Sequence, residues 1–395
     1  MGAHNSGNTG RDKTANHKRD GGRLATRGLP RLAGLIVAAT LMAANPVAER
    51  VKAADPSAPD ADGLGRLLLE AAVPGVAAAW LEDCRPTRVE TAGVADTGTG
   101  APVTALTAFE AASLSKPVFA YLSMQLADRG ALDLDAAIAG HLDYPRITDT
   151  ARYAHLTARM VLSHRSGLPN WAGRGSDAGR RDPLPFLFQP GTGFSYSGEG
   201  YQLLQARVAQ VTGQPLETLF RQSLGDIMPR STYVVPLARD VRRSYGHDAN
   251  GGKAQGRAMR SPRTANAAFT LRTVAADYAR FVATVCDGTG LSAAAHADML
   301  RPVGPVRADV FGADPAAIAP AEIFWTPGWG LQRLNGRDVY FHWGDNGVFK
   351  AFAAFDPVAR TGAVYFANGK GGLKLAEPLI APAVGTIQPV LTWLN

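Results

Sequence analysis

Apolar runs of strand length lie near both ends of this chain, and helical spacing governs most of what lies between. Gly75 to Leu81 and Arg88 to Ala95 read as two strands joined by a turn through Glu82 to Pro86, with a short helix from Leu64 to Ala71 before them. Val118, Phe119, Tyr121, Leu122, Leu126 and Ala127 recur on one side of a helix predicted over Ser113 to Arg129, which Gly130 stops. From Asp133 to about Pro305, short helices alternate with loops rich in glycine and proline. The better ones are Ala158 to Ser163, Gly200 to Val211, Pro215 to Gln222 and Thr273 to Cys286. Past Ile323 the period becomes that of strands: Trp329 to Leu334, Val339 to Trp343, Val348 to Phe355 and Gly362 to Ala367. Asn335-Gly336 marks a hairpin between the first two, and an amphipathic helix near Leu373 to Thr386 would cover the sheet.

Strands at both ends with helices between imply an α/β protein of the α+β type. Its antiparallel sheet comes from the N- and C-terminal segments, flanked by helices, beside a mostly helical second lobe. The expected division is a leader over residues 1–54 and one domain over residues 55–395. Within the domain, a sheet lobe takes about 63–112 and 320–395, and a helical lobe takes about 113–319. A cleft between the lobes is the expected place for a ligand, and the charged Gly173-to-Pro190 stretch reads as a loop on its wall.

Charge changes the meaning of the first 54 residues. They hold nine basic side chains against three acidic ones; seven of the basic ones precede an apolar run from Leu32 to Ala44, and small residues lie beyond it. That is the order of a signal peptide, with Val51-Lys52-Ala53 a usable cleavage site. The run is short for a membrane span, which needs roughly 20 apolar residues. Export to the periplasm or outside the cell is therefore expected; an uncleaved leader would instead leave a membrane anchor. The whole chain carries +7 and the leader +6, leaving about +1 for the rest, so a nucleic-acid partner is not expected. Hydrophobic residues at 46% and charged residues at 19% are globular values. Cys84 and Cys286 are the only cysteines. An oxidising compartment permits a disulfide, but two separate buried thiols are the favoured reading. No Cys/His cluster has zinc-ligand spacing, and neither metal nor cofactor is expected.

Three short segments carry chemistry. Ser113-Leu114-Ser115-Lys116 puts a serine and a lysine three residues apart, on one helix face. A serine hydroxyl is a weak nucleophile until something takes its proton, and a desolvated lysine can do so. Lysines outside the leader are only Lys116, Lys253, Lys350, Lys370 and Lys374, and Lys116 alone has a serine three residues before it. Pro190-Gly191-Thr192-Gly193-Phe194-Ser195-Tyr196-Ser197-Gly198 is a turn-rich loop presenting one tyrosine, which could serve as phenolate or proton shuttle. His342-Trp343-Gly344-Asp345-Asn346-Gly347 ends a strand. Gly344 there would let substrate lie against the strand edge while the next amide points into the cleft. Taken singly, each segment reads as readily as a cap, a packed tyrosine or an ordinary turn.

In order and spacing the three resemble the motifs of the serine β-lactamases of class C, the DD-peptidases and related esterases. The resemblance covers about 320 residues and extends to landmarks without chemistry. Val73-Pro74-Gly75-Val76 looks like the family's opening strand, and Phe109-Glu110-Ala111-Ala112-Ser113 like the approach to its nucleophile. Leu162-Ser163-His164-Arg165-Ser166-Gly167-Leu168-Pro169 and the segment from Ala265 to Phe281 match as well. The resemblance implies a β-lactamase/transpeptidase-like fold in which Ser113 forms an acyl-enzyme. It also implies that Lys116 and Tyr196 share proton transfer, and that the amides of Ser113 and Asp345 form the oxyanion hole. His342, with Trp343 and Gly344, takes the place of the third motif on the substrate side, and Gly198 closes the second.

Two departures narrow the substrate. Gly198 stands where the second motif has an asparagine that binds the substrate's amide side chain, and His342-Trp343-Gly344 replaces Lys-Thr-Gly. Tryptophan offers apolar area and one N–H, and histidine is mostly neutral at pH 7. The expectation is thus a serine hydrolase for a small ester or amide, favoured over a β-lactam or D-amino-acid peptide. The alternative is a penicillin-binding or sensor protein that keeps the acylatable pocket without turnover. His164 reads as a packing residue.

Overall fold

A computed structural model of the chain describes residues 58–173, 182–258, 263–307 and 321–394. The leader over residues 1–54 and the centre of the Gly173-to-Pro190 stretch, residues 174–181, lie outside the described residues. In β1 (Gly75–Glu82), every residue but Glu82 is buried. Ala77, Ala79 and Leu81 point into one apolar core, while Val76, Ala78 and Trp80 point into another on the opposite face. The same split recurs farther along the chain at Ala351, Ala353 and Phe355 against Phe352 and Ala354. A strand buried on both faces needs no polar side, which is why these segments read as continuous apolar runs. Each fully buried large side chain contributes roughly 1.5–3 kcal/mol.

Next come β2 (Arg85–Asp96), β3 (Ala101–Pro102), β4 (Thr107–Glu110), β5 (Arg242–Arg243), β6 (Tyr245–His247), β7 (Lys253–Ala258) and β8 (Arg272–Thr273). The C-terminal strands are β9 (Gly304–Pro305), β10 (Glu322–Trp325), β11 (Gly330–Leu334), β12 (Arg337–Asp345), β13 (Lys350–Asp356) and β14 (Thr361–Ala367). Nine of them form one antiparallel sheet in the order β3-β2-β1-β14-β13-β12-β11-β10-β9. The two ends of the chain meet where Val76 faces Ala367 and Leu81 faces Gly362. Asn335 and Gly336, both at positive φ, make the expected hairpin turn between β11 and β12.

The helices are α1 (Ala61–Ala71), α2 (Ser115–Asp128), α3 (Thr150–Tyr153), α4 (Ala158–Leu162), α5 (Gly198–Thr212), α6 (Leu216–Leu224), α7 (Ala275–Asp287), α8 (Ala293–Leu300), α9 (Ala376–Val384) and α10 (Gln388–Leu394). One face of the sheet carries α7, with α2 and the other middle helices in the same core; the other carries α1, α9 and α10. Trp80 fixes α9 by donating its indole N–H to the Leu379 carbonyl at 2.9 Å.

The closing helix was expected unbroken from Leu373 to Thr386. Instead a 3-10 turn over Lys370–Leu375 leads into α9, and Gly385 at φ 79° ends it before α10. Buried Gln332 holds this break from the sheet, donating to the Thr386 carbonyl and accepting from the Val390 amide. The long early helix likewise begins at Ser115, two residues later than its pattern suggests.

Cys84 and Cys286 form a disulfide, against the favoured reading of separate thiols. They are 202 residues apart in sequence, yet their Cα atoms lie 5.6 Å apart. Cys84 sits in the β1–β2 turn and Cys286 in the last turn of α7, so only the packing of α7 on the hairpin brings them together. Arg360 spans the same junction, bonding Asp83 at 2.5 Å and Asp287 at 2.9 Å. Cys84→Ser should lower unfolding free energy by roughly 2–4 kcal/mol. Denaturant titration with and without reductant checks this: reductant should destabilise the parent by a similar amount and leave the variant unmoved.

Candidate active site

The segment leading to Ser113 is held on both sides. Glu110 and Arg272 face each other where β4 pairs with β8, and the Ala111 amide donates to the Leu271 carbonyl at 2.9 Å. Ala112 then adopts φ 47°, a conformation that L-residues rarely take. It opens a 3-10 turn over Ala112–Leu114 that places half-buried Ser113 just ahead of α2. Every α2 residue from Ser115 to Leu126 is buried, so the helix carries Lys116 into the interior.

Lys116 is fully buried. Its Nζ donates to Ser113 Oγ at 3.1 Å and to the Ala268 carbonyl at 2.9 Å. It also lies 4.7 Å from the centre of the Tyr196 ring and 5.6 Å from that of Tyr201. These neighbours are a hydroxyl, a carbonyl and two aromatic faces, all neutral. Burial pushes the ammonium down to about 7. Near neutral pH a large share of the amine is therefore free to accept a proton. Ala268, whose carbonyl can only accept, takes one N–H and leaves the lone pair of the neutral amine for Ser113.

Tyr196 is positioned from below by His164. The His164 carbonyl accepts from the Ser195 amide at 2.8 Å, and its Nδ1 accepts from the Ser197 amide at 3.0 Å. The His164 and Tyr196 rings are 4.2 Å apart. Ser197 caps α5, accepting from the Gly200 amide and donating to the Pro169 carbonyl, both at 2.8 Å. Burial holds His164 well below its usual value, so the ring is neutral with its proton on Nε2. His164 packs as expected, and it also sets the loop bearing Tyr196. Its place in the Leu-Ser-His-Arg-Ser-Gly landmark was the available signal. Tyr196 is half-buried as a residue, but its hydroxyl oxygen is buried and without a close hydrogen bond. Burial drives the phenol far above its ordinary value, the nearby Ser113 hydroxyl opposing this only in part. A standing phenolate is thereby disfavoured; a phenol that relays a proton is not.

The third segment closes the site from the sheet. A Cβ at Gly344 would lie 2.2 Å from the Ala111 carbonyl oxygen, so β12 can press on the approach to Ser113 only with glycine there. Glu110 joins the same two segments, accepting from Asn346 Nδ2 with one oxygen and from Arg272 with the other. Asp345, expected to offer an amide, is exposed at the end of β12, its carboxylate paired with Lys350 and accepting from the Gly347 amide at 2.7 Å. His342 is buried and donates from Nδ1 to the Trp343 carbonyl at 2.8 Å. Burial, with Lys116 nearby, pushes it down to about 3, so no cation stands at this place of the third motif. Half-buried Trp343 lies on Tyr196, ring centres 5.2 Å apart.

Gly198 does not present itself to a substrate as the sequence suggested. It is buried, its amide donates to Asn170 Oδ1 at 3.0 Å, and the Trp171 indole covers it. A Cβ at 198 would meet Trp171 Cη2 at 2.4 Å. The surface offered there is that of tryptophan.

The Beta-lactamase family profile matches residues 46–383 of the chain. The chain belongs to the beta-lactamase family. Its relatives in this family of serine hydrolases include Penicillin-binding protein 4 of Amycolatopsis lactamdurans, 28% identical over 75% of this chain and 82% of that one. Esterase EstB of Burkholderia gladioli is 34% identical over 34% of this chain and 41% of its own length. The D-alanine carboxypeptidase AmpC of Burkholderia cenocepacia has the same fold, with TM-score 0.62, 24% identity, and 80% of this chain matched to 95% of that one. In this beta-lactamase-family protein, Ser113, Lys116 and Tyr196 converge, while the Trp171 indole covers the end of the second motif and the third holds a buried, neutral imidazole.

Proposed function

We propose that the protein hydrolyses esters or amides of weakly charged acyl groups through an acyl-Ser113 intermediate. The observation that carries this reading is Lys116: buried, with Ser113 Oγ at 3.1 Å, and brought to about 7 by burial. Neutral Lys116 takes the hydroxyl proton as Ser113 Oγ attacks the substrate carbonyl carbon. The oxyanion that forms is met by the amides of Ser113 and Asp345. As the tetrahedral centre collapses, the proton passes to the leaving oxygen or nitrogen, with the Tyr196 phenol as relay, and the alcohol or amine departs. Water then attacks the ester of Ser113, giving up a proton to the same pair, and the acid leaves with Ser113 protonated again.

Neutral His342 and covered Gly198 support a substrate lacking both the carboxylate and the amide hook of a penicillin. The esterase among the relatives is in line with this preference. The Cys84–Cys286 disulfide supports an oxidising, extracytoplasmic setting.

A fluorophosphonate probe should label the parent protein and not Ser113→Ala, and p-nitrophenyl acetate should be turned over many times by the parent only. Absence of any Ser113-dependent adduct would sink the reading. A penicillin adduct that forms without turnover, together with no ester hydrolysis, would favour a penicillin-binding sensor instead.

A further inference from the structure

We propose that Trp171 sets acyl specificity, forming with Phe269 an aromatic wall that selects acyl groups with an apolar aryl or alkyl face and refuses an amide hook. This deepens the serine-hydrolase reading and rests on it. Trp171 lies between the two segments that hold the Ser113–Lys116 pair. On one side its indole covers Gly198, two residues past Tyr196 at the start of α5. On the other it meets Phe269 edge to face, ring centres 5.7 Å apart and planes at 86°. Phe269 directly follows Ala268, the carbonyl partner of Lys116 Nζ. Trp171 and Phe269 are both half-buried, and the chain links them to the reacting groups through Gly198, two residues from Tyr196, and through Ala268, the partner of Lys116.

The backbone fixes the indole in place. The Asn170 carbonyl accepts from the amides of Gly198 and Glu199 at 3.2 and 3.1 Å, and Asn170 Oδ1 accepts from Gly198. Glu199 Oε1 accepts from the Ala172 amide at 3.0 Å, and Arg146 pairs with the same carboxylate. Residues 170–172 are thus laced to the first turn of α5 on either side of Trp171. A side chain at 198 and the indole at 171 compete for one volume: Cβ alone would come within 2.4 to 2.8 Å of three ring carbons. Any side chain at 198 therefore displaces the indole from the place it holds here. An aromatic wall rewards a flat apolar acyl group by contact and leaves an acylamido group without a hydrogen-bonding partner from residue 198.

The test pairs kinetics with stability. In Trp171→Ala, kcat/KM for p-nitrophenyl phenylacetate should fall about tenfold relative to the acetate, and Trp171→Phe should recover most of that ratio. Gly198→Asn should lower the melting temperature of the parent sharply but that of Trp171→Ala little, a coupling readable without any activity. Nitrocefin turnover relative to acetate turnover should rise in the Trp171→Ala/Gly198→Asn double variant. An unchanged phenylacetate-to-acetate ratio in Trp171→Ala, or equal destabilisation by Gly198→Asn in both backgrounds, would overturn the proposal. If the parent forms no Ser113-dependent fluorophosphonate adduct, the serine-hydrolase reading fails instead, while the melting temperatures still decide whether residues 171 and 198 share one volume.

Discussion

Lys116→Met is expected to lower kcat/KM for ester hydrolysis by roughly 10²- to 10⁴-fold while making the protein more stable. Both effects come from one desolvated amine. In the folded protein it titrates near 7, against an ordinary value of 10.5. The unfolded chain thus binds the proton more tightly, and burying Lys116 opposes folding. That opposition stands nearly in full up to about pH 7 and fades as pH rises toward 10.5, where both states are neutral. Methionine fills similar space without a charge to desolvate, so its gain in melting temperature should be largest below pH 7 and shrink in alkaline buffer. Kinetically, the parent's kcat/KM should rise with pH through about 7 as Lys116 loses its proton, and that acid limb should be missing from the residual activity of the variant. A limb that persists unchanged in Lys116→Met would assign it to another group.

Gly344→Ala should cost about 10²- to 10³-fold in kcat, the range seen when one oxyanion donor is lost. The added methyl carbon would stand 2.2 Å from the Ala111 carbonyl oxygen, closer than any van der Waals contact allows. β12 or the Ala111–Ser113 segment must move, and in the proposed mechanism that separates the amides of Ser113 and Asp345 that meet the oxyanion. Because the ground-state carbonyl depends less on those amides than the oxyanion does, KM should change little. Affinity for a phosphonate transition-state analogue should fall in step with kcat. Gly140→Ala is the control, since a methyl there meets nothing within 4 Å. A Gly344→Ala enzyme with parental kcat would show that the close approach does not set the hole.

Elements whose evidence is local were legible. β1 and the β11–β12 hairpin sit within a few residues of their predicted bounds, because strand period and an Asn-Gly turn are encoded over fewer than ten residues. Tetrapeptide spacing likewise placed Ser113 and Lys116 together. The second half of the site was less legible. Gly198 was visible as a missing asparagine, but Trp171, the residue that fills its place, is 27 positions away and belongs to no motif. The role of His164 was hidden similarly, since its bond to Ser197 and its stacking on Tyr196 join segments that only the fold brings together.

By itself the sequence determined the family motifs, their order, the α+β pattern and the departures at Gly198 and His342. These depend on residue identity and short-range period, which need no partner. The tertiary structure alone decided the Cys84–Cys286 bond, the covering of Gly198 by Trp171 and the proton affinity of Lys116. A disulfide needs two Cα atoms brought within reach across 202 residues. Steric exclusion needs two side chains in one volume. Lys116 loses its charge near neutral pH because water is removed from around it, and α2 does that by burying it beside the aromatic faces of Tyr196 and Tyr201.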